Sequence, residues 1–179
     1  MIARVALWPG NVYTWGTDEA ERSRGYPCDV LIPDPDDEMF RAVDVDAPPD
    51  ELFPWICQLR LAPYSYDWID NFGRRSPGRL VPGLDRLEKG QEFMRIFVLD
   101  SFEPGRSVTL RTKQPGLSLA AVTYVAEDRP PRGSRLLVKF SVSYSSRAAA
   151  LAMRLVLPPG DLIMMRRQLL NLKRLAEAG

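Results

Sequence analysis

The sequence predicts an α+β domain in which helices flank a run of antiparallel strands. Three patterns carry this prediction. Leu52, Phe53, Ile56 and Leu59 recur at helical spacing, with Trp55 beside them. From Phe93 to Tyr144 the period falls to two, and turn-forming residues punctuate the run. From Asp161 onward Leu162, Met165, Leu169, Leu172 and Ala176 form one long apolar stripe. Helix, antiparallel strands and closing helix, in that order, describe a sheet with one face turned toward a helix.

The elements follow in chain order. Residues 1–38 read as an N-terminal extension, either an ordered wrap over the surface or a loose arm. Within it Thr17 or Asp18 can cap a short helix through Glu19–Arg22, whose acidic residues suit a helix start. Ile32-Pro33-Asp34-Pro35-Asp36-Asp37 interrupts any regular element. The main domain, 39–179, then begins with a strand from Met39 to Val45. Ala47-Pro48-Pro49 ends that strand and opens a helix, because first-turn amides have no intrahelical acceptor to lose. Pro54 falls early enough to kink this helix without ending it. A second short helix follows, with Ser65 as a plausible cap, Trp68 and Phe72 on one face, and Gly73 at its end.

In the strand region Phe93, Arg95, Phe97 and Leu99 alternate with Met94, Ile96 and Val98. Glu103-Pro104-Gly105-Arg106 forms a hairpin turn into Val108, Leu110 and Thr112. A further strand covers Leu119 to Val125, and Asp128–Gly133 turns into the clearest one, with Leu136, Val138, Phe140, Val142 and Tyr144 on a single face. An apolar stretch from Ala148 to Leu157 precedes Pro158-Pro159-Gly160, read as a break before the final helix. Ile163 and Leu170 widen that helix's stripe, which predicts burial along most of its length.

Composition excludes several functions. The chain has 179 residues, 45% hydrophobic and 26% charged, with a net charge of +1, which offers no electrostatic footprint for nucleic acid. Arg74, Arg75, Arg79, Arg166, Arg167, Lys173 and Arg174 read as solvated faces. Two cysteines make no disulfide framework, and Cys57 reads as a small buried hydrophobe. No apolar run approaches the roughly 18 residues of a membrane span, so a cytoplasmic protein is the expectation. With no histidine at all, Ser-His-Asp and Cys-His constellations and most zinc sites are excluded. No P-loop, G-x-G-x-x-G or C-x-x-C is present, and neither metal nor cofactor is expected.

Several short motifs stand out: Trp15-Gly16-Thr17, Pro33-Asp34-Pro35, Asp46-Ala47-Pro48-Pro49 with Trp55, and Tyr64-Ser65-Tyr66-Asp67-Trp68. Met164-Met165-Arg166-Arg167-Gln168-Leu169-Leu170 and Lys173-Arg174-Leu175-Ala176-Glu177 close the chain. In this order they resemble a large bacterial subgroup of the START, polyketide cyclase and Bet v 1-like (SRPBCC) superfamily. The resemblance runs from about Trp15 to Glu177 and departs at Phe72-Gly73-Arg74-Arg75. It implies a helix-grip fold, a curved antiparallel sheet wrapped around a long C-terminal helix with two short helices after the first strand. It also implies a cavity between sheet and helix.

Candidate site residues follow from both readings. Tyr64, Tyr66, Trp68 and Phe72 either line the cavity mouth or pack a short helix onto the sheet. Alternation places Arg95 on the face of Phe93 and Phe97, where it would need a carboxylate such as Asp67; the alternative is an edge arginine in solvent. In this fold Phe97, Tyr124, Phe140, Tyr144, Met164 and Met165 would wall the cavity, although a methionine and aromatic stripe is also ordinary core. A hydrophobic or amphipathic small molecule, of lipid, polyketide or isoprenoid type, is the expected partner. The alternatives are a cyclase, aromatase or dehydratase using Tyr66, Asp67, Arg95 and Tyr144, and a protein-interaction module whose cavity is filled.

Overall fold

The structure, a computed structural model, describes residues 10–70, 73–114 and 116–179. The elements are α1 (Gly10–Tyr13), α2 (Glu19–Ser23), α3 (Cys28–Leu31), β1 (Asp37–Val45), α4 (Pro49–Cys57), a 3-10 turn (Gln58–Arg60) and α5 (Asp67–Asp70). They continue as β2 (Glu92–Phe93), β3 (Phe97–Glu103), β4 (Ser107–Thr112), β5 (Ser118–Asp128), β6 (Ser134–Tyr144) and α6 (Arg147–Ala176). Six strands form one antiparallel sheet in the order β1-β6-β5-β4-β3-β2. The curved sheet packs one face on α4 and α6, the helix-grip arrangement.

Period-two side-chain alternation sorts the strands as expected. Met39, Val43, Leu99, Val108, Leu110, Val122, Leu136, Val138 and Val142 all enter the core beneath the helices. The opposite face carries small polar side chains, Thr109, Thr123 and Ser141, and is buried too. The N-terminal segment covers it. Tyr26, Cys28 and Ile32 pack on Phe40, Ala42, Ala121, Val125 and Leu137, and the Cys28 amide donates to Thr123 Oγ1 at 3.1 Å. Asp18 caps α2 in a reciprocal box with Glu21.

The Trp15-Gly16-Thr17 motif packs against β1, one of the two edge strands. The Ala42 amide donates to the Trp15 carbonyl at 3.1 Å. Gly16 has φ +78°, and a Cβ there would stand 2.1 Å from the Ala42 carbonyl oxygen. Only glycine allows this approach.

Three expectations fail in α6. Pro158-Pro159-Gly160 does not break it, and the helix runs unbroken for 30 residues. Pro158 is buried, and docking of the helix along β1 outweighs the amide hydrogen bonds that two prolines remove. Among the described residues α6 is therefore the one helix long and apolar enough to cross a membrane by length and composition, contrary to the expectation that no apolar run approaches that length. Its outer face is also less covered than the wide stripe predicts: Leu155 and Ile163 are exposed, as is Leu170.

Strand β1 and helix α6 run in the same direction and are bridged along their length. Arg154 pairs with Asp37 at 2.7 Å and Arg41 with Asp161 at 2.7 Å. Farther on, Lys173 donates to the Asp44 carbonyl, and the Asp46 amide donates to Glu177. Four strand residues span about 13 Å and seven helical residues about 10.5 Å, so one spacing serves both ion pairs.

Candidate functional site

A cavity of about 420 Å³ lies between the sheet and α6, within the usual range of small-molecule sites. Its sheet side is Phe97, Val122, Tyr124 and Phe140; its helix side is Met153, Leu157, Gly160, Met164 and Met165, with Val156 at the opening. Pro63, Ser65, Met94 and Ile96 also line it. The walls are mainly apolar. Gly160 contributes to the space directly, since a Cβ built there would meet no atom within 4 Å.

Few polar groups reach this space. Tyr124 is fully buried; its hydroxyl donates to Gln168 Oε1 at 2.7 Å, and burial raises its pKa well above the usual phenol value. Gln168 in turn donates through Nε2 to the Pro63 carbonyl at 2.6 Å. Asp161 is the charged residue on the wall. Burial pushes its carboxyl up to about 6, against the opposing pull of Arg41. Arg41 itself has no solvent exposure; it donates to the Phe40 carbonyl at 2.8 Å and to Asp161, while its Nε has no partner.

Five of the ten residues singled out as ligand-contacting candidates wall the cavity: Phe97, Tyr124, Phe140, Met164 and Met165. The other five lie elsewhere. Tyr64 is core, edge-to-face with Trp55 at 6.3 Å and with φ 56°. Burial, then Asp67, pushes its phenol up to about 12. Tyr66 is half-buried, with the Arg167 guanidinium 5.9 Å from its ring centre. Trp68, placed in the core by its spacing, is 75% exposed. Helix α5 begins at Asp67, one residue later than a Ser65 cap implies, and only four residues long it cannot bury a full face. Phe72 lies outside the described residues.

Arg95 does not sit on the inner face. Met94 and Arg95 have φ of 46° and 65°, so the backbone turns between β2 and β3 and the alternation is interrupted. Phe93 and Phe97 both point inward, while Arg95 is exposed in a neighbouring groove with Ile96 and Met153. Asp67 accepts from the Ser76 amide at 2.8 Å and hydroxyl at 2.5 Å, tying down the following loop. Tyr144 is buried at the far end of β6 beside Asp37 and Arg154; burial first, and then the Asp37 charge, raises its pKa. The four candidate catalytic residues, Tyr66, Asp67, Arg95 and Tyr144, are thus all outside the cavity wall. Cys57 is buried, which pushes its thiol up to about 12, and it is inert packing.

The sequence reading missed Arg41 and Asp161. Alternation places Arg41 on the inner face with Met39 and Val43, and that signal was available. Its partner lies 120 positions away, and no local pattern connects them.

No family model matches the chain, and no curated protein matches it. Solved structures do resemble it. The hypothetical protein jhp0584 from Helicobacter pylori superposes with a TM-score of 0.54 at 13% identity, over 84% of this chain and 94% of that one. A protein from Thermobifida fusca, solved by solution NMR, gives 0.51 at 11% identity, over 77% and 94%. The di-domain ARO/CYC StfQ of the steffimycin biosynthetic pathway gives 0.46 at 15%, over 79% of this chain and 50% of that one, too loose an overlay to carry chemistry across. At such identities the likeness is one of fold.

Proposed function

We propose that this chain binds a hydrophobic or amphipathic small molecule, of lipid, polyketide or isoprenoid type, between the sheet and α6, as a member of the SRPBCC superfamily. One observation carries the reading: the space between Val122, Phe140 and α6 is open, where an interaction module of this fold would fill it with side chains. Apolar walls with a few fixed polar groups suit a ligand that is mostly hydrocarbon. Met153, Met164 and Met165 adapt to irregular shapes. A catalytic reading has less support, because its four candidates do not reach the cavity.

The test combines a screen with one substitution. Native mass spectrometry and thermal shift against lipids, polyketides and isoprenoids should find a stabilising ligand; at 100 times its dissociation constant it adds about 2.7 kcal/mol. Gly160→Leu should occlude the cavity and abolish that shift. The same change should leave the unliganded protein as stable or raise its stability by up to about 1 kcal/mol, since leucine favours a helix over glycine. No ligand in the screen, or binding untouched by Gly160→Leu, overturns the reading.

A further inference from the structure

The polar groups on the cavity wall are not equivalent. Tyr124 commits its proton to Gln168, and Gln168 commits its amide to the Pro63 carbonyl. Asp161 differs. Its Oδ2 takes the Arg41 guanidinium, and its Oδ1 receives no hydrogen bond from the described residues, though the side chain is only 9% exposed. That atom is not sealed away, and the residue borders the cavity. A carboxylate oxygen has room for more than one donor. A ligand hydroxyl entering the cavity can supply a donor to it.

We propose that Asp161, held in place by Arg41, accepts a hydrogen bond from the hydroxyl group of a neutral, otherwise apolar ligand: a terpenoid alcohol, a phenol or a long-chain alcohol. This rests on the cavity-binding reading and names its ligand class. Charge balance selects the class. Arg41 already neutralises Asp161, so an ammonium ligand would leave a net positive charge in a low-dielectric site. A carboxylate ligand would set two anions side by side. A neutral hydroxyl supplies the missing donor and leaves the charge at zero.

The test is a matched set of probes, decan-1-ol, 1-methoxydecane, decylamine and decanoate, competing with the neutral dye Nile red at neutral pH. The alcohol and ether differ by the donor proton. The alcohol should bind at least about tenfold more tightly, the ratio expected for one hydrogen bond to a charged group. The amine and the carboxylate should bind more weakly than the ether. In the double variant Arg41→Met with Asp161→Leu, which removes the pair without orphaning either charge, ether binding should persist and the preference for alcohol should vanish. Equal alcohol and ether affinities in the wild-type protein overturn the proposal but leave the cavity reading intact. So does a preference for alcohol that survives the double variant. If no probe displaces the dye, the cavity reading fails and this proposal falls with it. The wild-type alcohol-to-ether ratio decides even where the variant does not fold.

Discussion

Two salt bridges tie β1 to α6, made of the same residue types in opposite polarity, and their surroundings differ. At the start of the strand Arg154 donates to Asp37, donates again to the Asp36 carbonyl at 3.0 Å, and lies 5.6 Å from the centre of the Tyr144 ring. Four residues on, Arg41 donates to Asp161 and to the Phe40 carbonyl and has an Nε with no partner. The Arg154 pKa is raised, chiefly by its bond to Asp37; the Arg41 pKa is lowered, chiefly by burial. The first bridge has an arginine held by a carboxylate, a carbonyl and a ring, and it lies away from the cavity lining. The second borders the cavity through Asp161, and its Arg41 Nε has no partner among the described residues, so position relative to the cavity is what separates the two.

The largest effect should come from breaking either bridge on one side. Arg41→Ala and Arg154→Ala should each cost about 3–5 kcal/mol in urea unfolding, because each leaves a carboxylate buried and unpaired. A loss well below 1 kcal/mol at Arg41 would mean that Asp161 sheds its charge without cost.

The next effect is a pH dependence confined to the cavity bridge. The Asp161 carboxyl stands at about 6 in the fold against an ordinary value of 3.8. The folded state therefore holds this proton more tightly than the unfolded chain does. The resulting stabilisation is fully present below about pH 4 and is lost as pH rises through about 6, a swing on the order of 3 kcal/mol. Unfolding measured against Asp161→Asn should show the wild-type protein losing stability relative to the variant over that interval. A constant difference would refute it.

The smallest effect separates the bridges most sharply. Replacing a buried ion pair by apolar residues of similar size is often neutral or stabilising. Arg41→Met with Asp161→Leu should come close to neutral, because removing the unpartnered Arg41 Nε offsets the donor lost to the Phe40 carbonyl. Arg154→Met with Asp37→Leu should lose about 1 kcal/mol more, because each replacement strips a carbonyl of its arginine donor but only this one also removes a guanidinium from the Tyr144 ring. Equal outcomes for the two replacements would erase the distinction.

Much of the fold was legible because backbone geometry writes its period into the chain. Leu136, Val138, Phe140 and Val142 share a face because strand side chains alternate, whatever they touch. The same rule misplaced Arg95, where two residues with positive φ interrupt the strand. It also treated Pro158-Pro159-Gly160 as a local stop, whereas packing against β1 carries the helix through. The Tyr-Ser-Tyr-Asp-Trp cluster stood out by composition, but its parts diverge: Tyr64 is core, Asp67 holds a loop, and Trp68 faces solvent.

By itself the sequence determined the order of elements, the inward face of the long strands and the apolar closing helix, because each depends on residues within one or two turns of one another. Only the tertiary structure decided that Gly160 leaves a void and that Arg41 meets Asp161 at its edge. Those depend on where distant segments come to rest, and a cavity is a property of the space between them.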